Sequence, residues 1–483
     1  MRLLPSQTYS PDAFAVEVLA ELPLAEAFYR LWSYIATDEV LQDVFDTHRG
    51  KCYQDQLTFS ELVCILVDAL TRYHGSGQRA ISNALKRNQL SVKARAPYGK
   101  LSRLPLPVAE AFLSTLTARL TPLFPQKLFR TQLPASLKDI NVVVLDGKKI
   151  KNAAKRLLAT RGRPGKLFGG KILAAYLPAD GLVTALAAEP DGEANDIRLL
   201  PRVMPLAQAA IPGPRLWVAD AQFCDLDQPV LFTQQPGDHF LLRFTLRNSF
   251  EVDGERPSRS GINRLGQSYT QTWGWMGSAQ DQRRRYVRRI VVKRADDEDV
   301  IVVSDLLDAA VYPAEDLLEV YLHRWQIENV FQQITEVFGL QKLIGCAPGA
   351  TVFQSSLCLV IYNMLQVMRG YATQASPEVV QAEELSSEKI FWDLHEELVG
   401  LHRVLKGERL IEVLPREDSL QSLQAHLQTL LARAWTDSWK KAKPSKARPR
   451  TPPDKQSGAH CSVHKILQQA KHTLTQTPRR ANC

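Results

Sequence analysis

The chain has 483 residues, of which 45% are hydrophobic and 23% charged. That balance excludes an intrinsically disordered or collagen-like chain, and the length suggests about three domains. A net charge of +9 and a pI near 9.1 favour a polyanionic partner over an acidic one.

The seven cysteines, Cys52, Cys64, Cys224, Cys346, Cys358, Cys461 and Cys483, are scattered and contain no C-x-x-C pair. Reduced thiols in a cytosolic compartment are expected rather than a disulfide framework. The N-terminus has no charged segment followed by an apolar one, so no secretory signal is visible. The longest apolar segment, residues 352–367, is interrupted by Gln354, Ser355, Ser356, Asn363 and Gln366. It reads as a core helix, and no membrane partner is expected.

Residues 1–135 read as a helical region. Apolar periodicity marks residues 24–36, just after Pro23, and residues 59–73, with Ser60 and Glu61 as a start signal. A short helix at 78–87, a turn at 88–91 and a basic segment at 92–95, with Lys100 and Arg103 beyond, have the shape of a major-groove reader. Pro97 limits the second helix, and a helical bundle with a solvated basic face fits as well.

Residues 136–350 read as an α/β catalytic region. Asn141-Val142-Val143-Val144-Leu145 is a short β-branched run ending at Asp146-Gly147. Leu216-Trp217-Val218-Ala219 is a second run, ending at Asp220. Buried parallel strands have this composition. Between them, residues 171–177 and 182–188 flank Asp180-Gly181 as a hairpin. Residues 196–210 are expected to be helical, with Pro201 and Pro205 breaking or kinking the helix. Lys148, Lys149 and the basic stretch to Lys166 form a loop suited to contact a phosphate backbone.

The 108 positions from Asp220 to Glu328 exceed what one helix and one strand need, so an insertion is expected at 236–300. Alternating apolar and polar residues at 240–245, 268–275 and 286–294 make it a small antiparallel β-subdomain. Trp273, Trp275 and the basic run containing Arg284, Arg285 and Arg288 could stack on unpaired bases and grip phosphates. Packing inside the subdomain is the other reading for the tryptophans. Residues 300–304 would return as the last core strand. Residues 351–440 are helical again, and the basic segment 441–483 reads as a disordered tail.

The stretch from Tyr321 to Phe331 contains no Gly or Pro and reads as one helix with a buried apolar stripe. Tyr321, Arg324 and Glu328 stand at i, i+3 and i+7 on one face. A carboxylate is a hard ligand for Mg²⁺, and a guanidinium forks onto phosphate oxygens. The alternative is a surface Arg–Glu pair. Two strand-end carboxylates, Asp146 and Asp220, lie where open α/β sheets place ligands. With Glu328 they make an acidic triad that repels itself unless divalent metal neutralises it. Two Mg²⁺ ions held by such a triad can drive phosphodiester displacement.

These motifs resemble a bacterial insertion-sequence transposase of the DDE type, in insertion-sequence family four with its Y-x2-R-x3-E-x6-K signature. Tyr321, Arg324 and Glu328 match the first three signature positions; Asp146-Gly147 and Ala219-Asp220-Ala221-Gln222-Phe223 resemble the contexts of the two aspartates. The resemblance covers residues 40–375. The signature Lys falls on Thr335, and Lys342 or the lysines after Asp146 are the candidates to take its place.

The resemblance implies an RNase H-like (ribonuclease H-like) core and catalytic, metal-binding Asp146, Asp220 and Glu328. It implies two Mg²⁺ ions, with Mn²⁺ able to substitute. DNA contacts would come from Tyr321, Arg324, Lys148, Lys149, Arg284, Arg285, Arg288, Trp325, Trp273 and Trp275. One of the tryptophans would stabilise a flipped base. The expected activity is cut-and-paste DNA transposition: cleavage at terminal inverted repeats and strand transfer into target DNA, by a homodimer in the bacterial cytoplasm, at the nucleoid when bound to DNA. A metal-dependent endonuclease of the same fold and a catalytically dead DNA-binding protein are the alternatives.

Overall fold

Ten strands between Asn141 and Ser304 build a single mixed sheet in a computed structural model of the chain. The structure describes residues 13–53, 56–87, 90–125, 133–151, 153–294, 299–339, 345–376, 384–405, 419–441 and 460–476. In chain order the strands are β1 (Asn141–Lys149), β2 (Leu167–Phe168), β3 (Lys171–Leu177), β4 (Leu182–Glu189), β5 (Arg215–Ala219), β6 (His239–Arg243), β7 (Phe250–Val252), β8 (Arg259–Ile262), β9 (Ser268–Met276), β10 (Arg285–Val292), β11 (Val300–Ser304) and β12 (Cys461–Ser462). The large sheet runs β4-β3-β1-β5-β6-β11-β10-β9-β7, with β8 paired to β9.

The β3–β4 hairpin turns at Asp180-Gly181, where Gly181 takes a φ of 67° that a side chain would resist. β3 lies antiparallel to β1, whereas β5 runs parallel to β1 and β6 parallel to β5. The strand expected at 240–245 within the insertion is therefore the outer parallel strand of the core, β6. β11 pairs antiparallel to β6 and carries the sheet onward into β10 and β9. The insertion extends this sheet and does not form a separate one. Its strands have their backbone groups satisfied by continuing the β6 edge.

Local rules explain several element ends. Thr58 caps the Phe59–Thr71 helix in a reciprocal box with Glu61, so the start signal is Thr58 and not Ser60. A short 3₁₀ turn, Asp196–Leu199, precedes the Leu200–Ala210 helix and leaves Pro201 in its first turn, where the missing N–H costs nothing; only Pro205 lies inside. Pro97 likewise sits in the first turn of an Ala96–Arg103 helix, which begins after the basic segment 92–95. Lys100 on that helix is buried and donates to the Leu57 carbonyl at 2.5 Å. A groove-reading role for that lysine does not survive. Asn88 and Gln89 of the expected turn lie outside the described residues.

The Pro348–Ala375 helix is long and apolar enough by composition to cross a membrane, but its apolar window is fully buried within the fold. Asn363 at its centre donates to Thr117 Oγ1 at 2.8 Å and accepts from the β4 Val183 N–H at 3.0 Å. Helices from the two ends of the chain pack together. The Ala25 N–H donates to Glu397 at 2.8 Å, and the Tyr29 hydroxyl meets His402 at 2.5 Å. The N-terminal and C-terminal helical regions thus share one core.

Part of the tail expected to be disordered is ordered. β12 pairs parallel with β2, and a Val463–Gln476 helix follows. Val463 and Ile466, one turn apart, bury against Ala153 and Leu167, with Leu157 and Leu467 alongside. Residues 442–459 and 477–483 lie outside the described residues.

Candidate active site

Strand alternation aims the two aspartates. Val142 and Val144 of β1 and Leu216 and Val218 of β5 enter the core on one face of the sheet. Val143, Leu145, Trp217 and Ala219 enter the separate core on the other. With a period of two, Asp146 and Asp220 continue the first set. The register pairs Val144 with Val218, so the aspartates, each two residues further on, emerge side by side. Asp146 lies within β1, which runs on to Lys149, and not beyond its end as expected.

Glu328 arrives on the same face. Leu317, Val320, Ile327, Val330 and Phe331 are in the first core. The expected single helix is two, Ala314–His323 and Trp325–Gln332, joined at Arg324, whose dihedral angles remain helical. Because the turn is nearly preserved, Arg324 Nη1 still reaches Glu328 Oε1 at 3.5 Å and Asp146 Oδ2 at 4.0 Å. A π-turn, Gln333–Val337, follows. Thr335 lies in it, and its hydroxyl donates back to the Phe331 carbonyl at 2.7 Å. Lys342 is outside the described residues.

The electrostatics are those of crowded carboxylates around one guanidinium. Burial pushes the Asp146 carboxyl up to about 6, against the pull of Arg324 and the Gly147 N–H; Glu328 and Asp220 push it further up. Burial opposes charge on Arg324, but Tyr321, Asp220, Asp146 and Glu328 together raise its pKa. Asp220 Oδ1 is buried without a hydrogen-bond partner among the described residues. Two crowded carboxylates, one with an orphaned buried oxygen, and a nearby third make a hard-oxygen donor set that suits a divalent cation. As they stand the three are not drawn into a tight ligand group, and no such group of three occurs among the described residues. The Arg324 cation lies between two of them.

The surrounding residues divide by exposure. Tyr321 is 4% exposed and its hydroxyl is buried, so it backs Arg324 and offers no surface to a phosphate. Arg324 is equally buried. Trp325 is 51% exposed with the Arg324 guanidinium 5.0 Å from its ring centroid. Lys148 lies 5.6 Å from the Phe331 ring, and Lys149 is exposed beside Phe168. Beyond them Lys151, Lys155, Arg161 and Arg163 are exposed.

Two further expected DNA contacts fail besides Tyr321. Arg288 is fully buried, donating to Gln271 at 2.8 Å and to the Tyr312 carbonyl at 2.6 Å. Trp273 is buried with its indole N–H on the Leu307 carbonyl at 2.9 Å. Both side chains fall on the covered face of the β9–β10 pair. Arg285 is half-buried and donates to Thr233 at 3.0 Å. Arg284 pairs with Glu251 and lies against the half-exposed Trp275.

Sequence reasoning missed a group beneath the aspartates. Lys171, Asp196 and Gln222 meet on the opposite face of the sheet. Gly147 was the available signal: a Cβ there would overlap the Asp196 carboxylate.

Residues 137–364 match the family of the transposase DDE domain, a span that includes Asp146, Asp220 and Glu328. The protein is a DNA transposase, an enzyme that cleaves DNA and transfers strands, and enzymes with this domain generally depend on divalent metal. Among solved structures it is similar to the piggyBac transposase synaptic complex with hairpin DNA, at 12% identity over 89% of this chain and 87% of that chain, with a TM-score of 0.41. No curated protein matches it.

Proposed function

We propose that the protein is a cut-and-paste transposase of a bacterial insertion sequence in family four, built on an RNase H-like core. The order β4-β3-β1-β5-β6, antiparallel on one side of β1 and parallel on the other, supports that fold. The observation that carries the reading is the shared parity of Asp146 and Asp220 on the sheet face covered by the helix of Glu328. These three residues would hold the divalent metal, with Mg²⁺ the physiological ion and Mn²⁺ a substitute.

When bound, the metal supplies Lewis acidity to a water or a 3′-hydroxyl and to the leaving oxygen. The chain's own residues do the rest. Arg324 balances the carboxylates and presents a guanidinium to a phosphate entering the site. Lys148, Lys149 and the exposed cations as far as Arg163 hold the DNA backbone. Trp325 offers a ring on which an unpaired base can stack. The partners are the terminal inverted repeats and target DNA, and the working unit is a homodimer in the cytoplasm.

The test uses a labelled duplex carrying the element's end, a supercoiled plasmid, and Mg²⁺ or EDTA. Wild type should form labelled plasmid only with Mg²⁺, and Asp146→Ala, Asp220→Ala and Glu328→Ala should not. Cleaved duplex without joined plasmid would replace this reading with that of a nuclease. A bound but uncut duplex under every condition would leave a binding protein.

A further inference from the structure

We infer that Asp196 is a positioning residue that fixes the spacing of the two aspartates from the back of the sheet; the inference rests on the reading of Asp146 and Asp220 as metal ligands. Asp196 opens the 3₁₀ turn Asp196–Leu199, held there by Asn195, which accepts from the Ile197 N–H at 3.2 Å. Its carboxylate is almost wholly buried and divides its oxygens between two elements. Oδ1 pairs with the Lys171 ammonium of β3 at 2.6 Å. Oδ2 accepts from the Gln222 amide at 2.9 Å. Lys171 is itself anchored, donating to the Ala194 carbonyl at 2.7 Å.

Each contact touches a segment that carries a proposed ligand. Gln222 is two residues past Asp220, in the turn that leaves β5. Gly147 directly follows Asp146, and its backbone lies so close against the Asp196 carboxylate that no Cβ fits between them. Lys171 stands opposite Lys149 in the β1–β3 ladder, at the same end of the strands. One buried carboxylate therefore ties the end of β1, the start of β3 and the exit of β5. The sheet separates it from the face of Asp146 and Asp220, because Val143 and Leu145 on its own face alternate with Asp146 on the other. It cannot act as a ligand there. It acts by holding the two carboxylates at a set spacing, as the outer hydrogen bonds of metal sites do. Ordinary core stabilisation would require the Lys171 pair but not the bond to Gln222, whose side chain is solvent-exposed.

The test measures Mn²⁺ binding by electron paramagnetic resonance on the full chain with the end duplex, counting ions beyond those held by duplex alone. Wild type is compared with Asp146→Ala, Asp196→Asn and Gln222→Ala; thermal midpoint and duplex affinity in EDTA report folding and DNA binding. Asp196→Asn should weaken Mn²⁺ binding about 10–100-fold. Gln222→Ala, which removes one exposed amide and should fold normally, should weaken it in the same direction with midpoint and duplex affinity unchanged. Wild-type Mn²⁺ affinity in Gln222→Ala and in any folded Asp196→Asn, with Asp146→Ala defective, would overturn the positioning role alone. Wild-type affinity in Asp146→Ala would overturn the ligand reading and this inference with it.

Discussion

Arg324 Nη1 lies 3.5 Å from Glu328 Oε1, one helical turn away, and the same nitrogen lies 4.0 Å from Asp146 Oδ2. Removing it leaves the carboxylates facing one another without a counter-charge. We expect Arg324→Gln to lower stability in EDTA by ~1–2 kcal/mol, a value limited because Glu328 is 43% exposed and screened by solvent. Mg²⁺ should restore more of the thermal midpoint in the variant than it adds to wild type, since a bound cation replaces the missing one. Equal Mg²⁺ shifts in the two proteins would show that Arg324 does not balance the acidic group.

The three tryptophans separate by burial. Trp273→Ala should cost about 3–5 kcal/mol, because it empties a buried site and removes the indole hydrogen bond to the Leu307 carbonyl, which keeps only its bond from Arg256. Trp325→Ala should leave the melting curve unchanged and weaken binding of a duplex with an unpaired end by about 1–3 kcal/mol. Thermal denaturation and fluorescence anisotropy check both. A folding defect in Trp325→Ala with normal DNA affinity would assign its ring to packing.

The C-terminal helix should hold the basic loop beside β1. Ile466 is fully buried among Ala153, Leu167 and Val463. Ile466→Asp places a charge in that contact, which is unfavourable without a partner. We expect trypsin to cut faster between Lys151 and Lys166 in this variant, and the salt dependence of DNA binding to flatten as ordered cations are lost. The thermal midpoint of the main core should stay near that of wild type. Unchanged proteolysis would mean that the loop is ordered without the helix.

His402 gives a pH dependence with a definite sign. Burial first, then the charges of Arg72 and Arg87, push its imidazole down to about 2. In the unfolded chain it titrates near 6.5. Below 6.5 the unfolded chain takes up a proton that the folded chain refuses, so this residue makes stability fall as pH drops. Between pH 7.5 and 5.5 wild type should lose about 1 kcal/mol more than His402→Gln in urea denaturation. Parallel losses in the two proteins would show that His402 is protonated in the fold.

The shared face of the three candidate carboxylates was legible because its signals are local. β-branched runs ending in Asp, and a helix carrying Tyr321, Arg324 and Glu328 at helical spacing, depend on periods of two and 3.6 that sequence displays directly. The role of β6 was not legible. Its residues alternate as any edge strand would, and only pairing with β5 on one side and β11 on the other makes it the outer parallel strand of the core. Arg288 and Trp273 read as DNA contacts for a similar reason: composition names the side chains available, and the loop near Leu307 and Tyr312 decides that these two are covered.

By itself the sequence determined the class of chemistry and the face that each of the three candidate carboxylates takes on its own element, because those follow from short-range geometry. Tertiary structure alone decided what lies between and behind them. The Arg324 cation bridging two of the carboxylates, the Asp196 carboxylate beneath Gly147, and the tail helix on the basic loop all join segments distant in the chain. Such contacts exist only once a buried charge or an apolar stripe has found the one surface that satisfies it, and no local period encodes that partner.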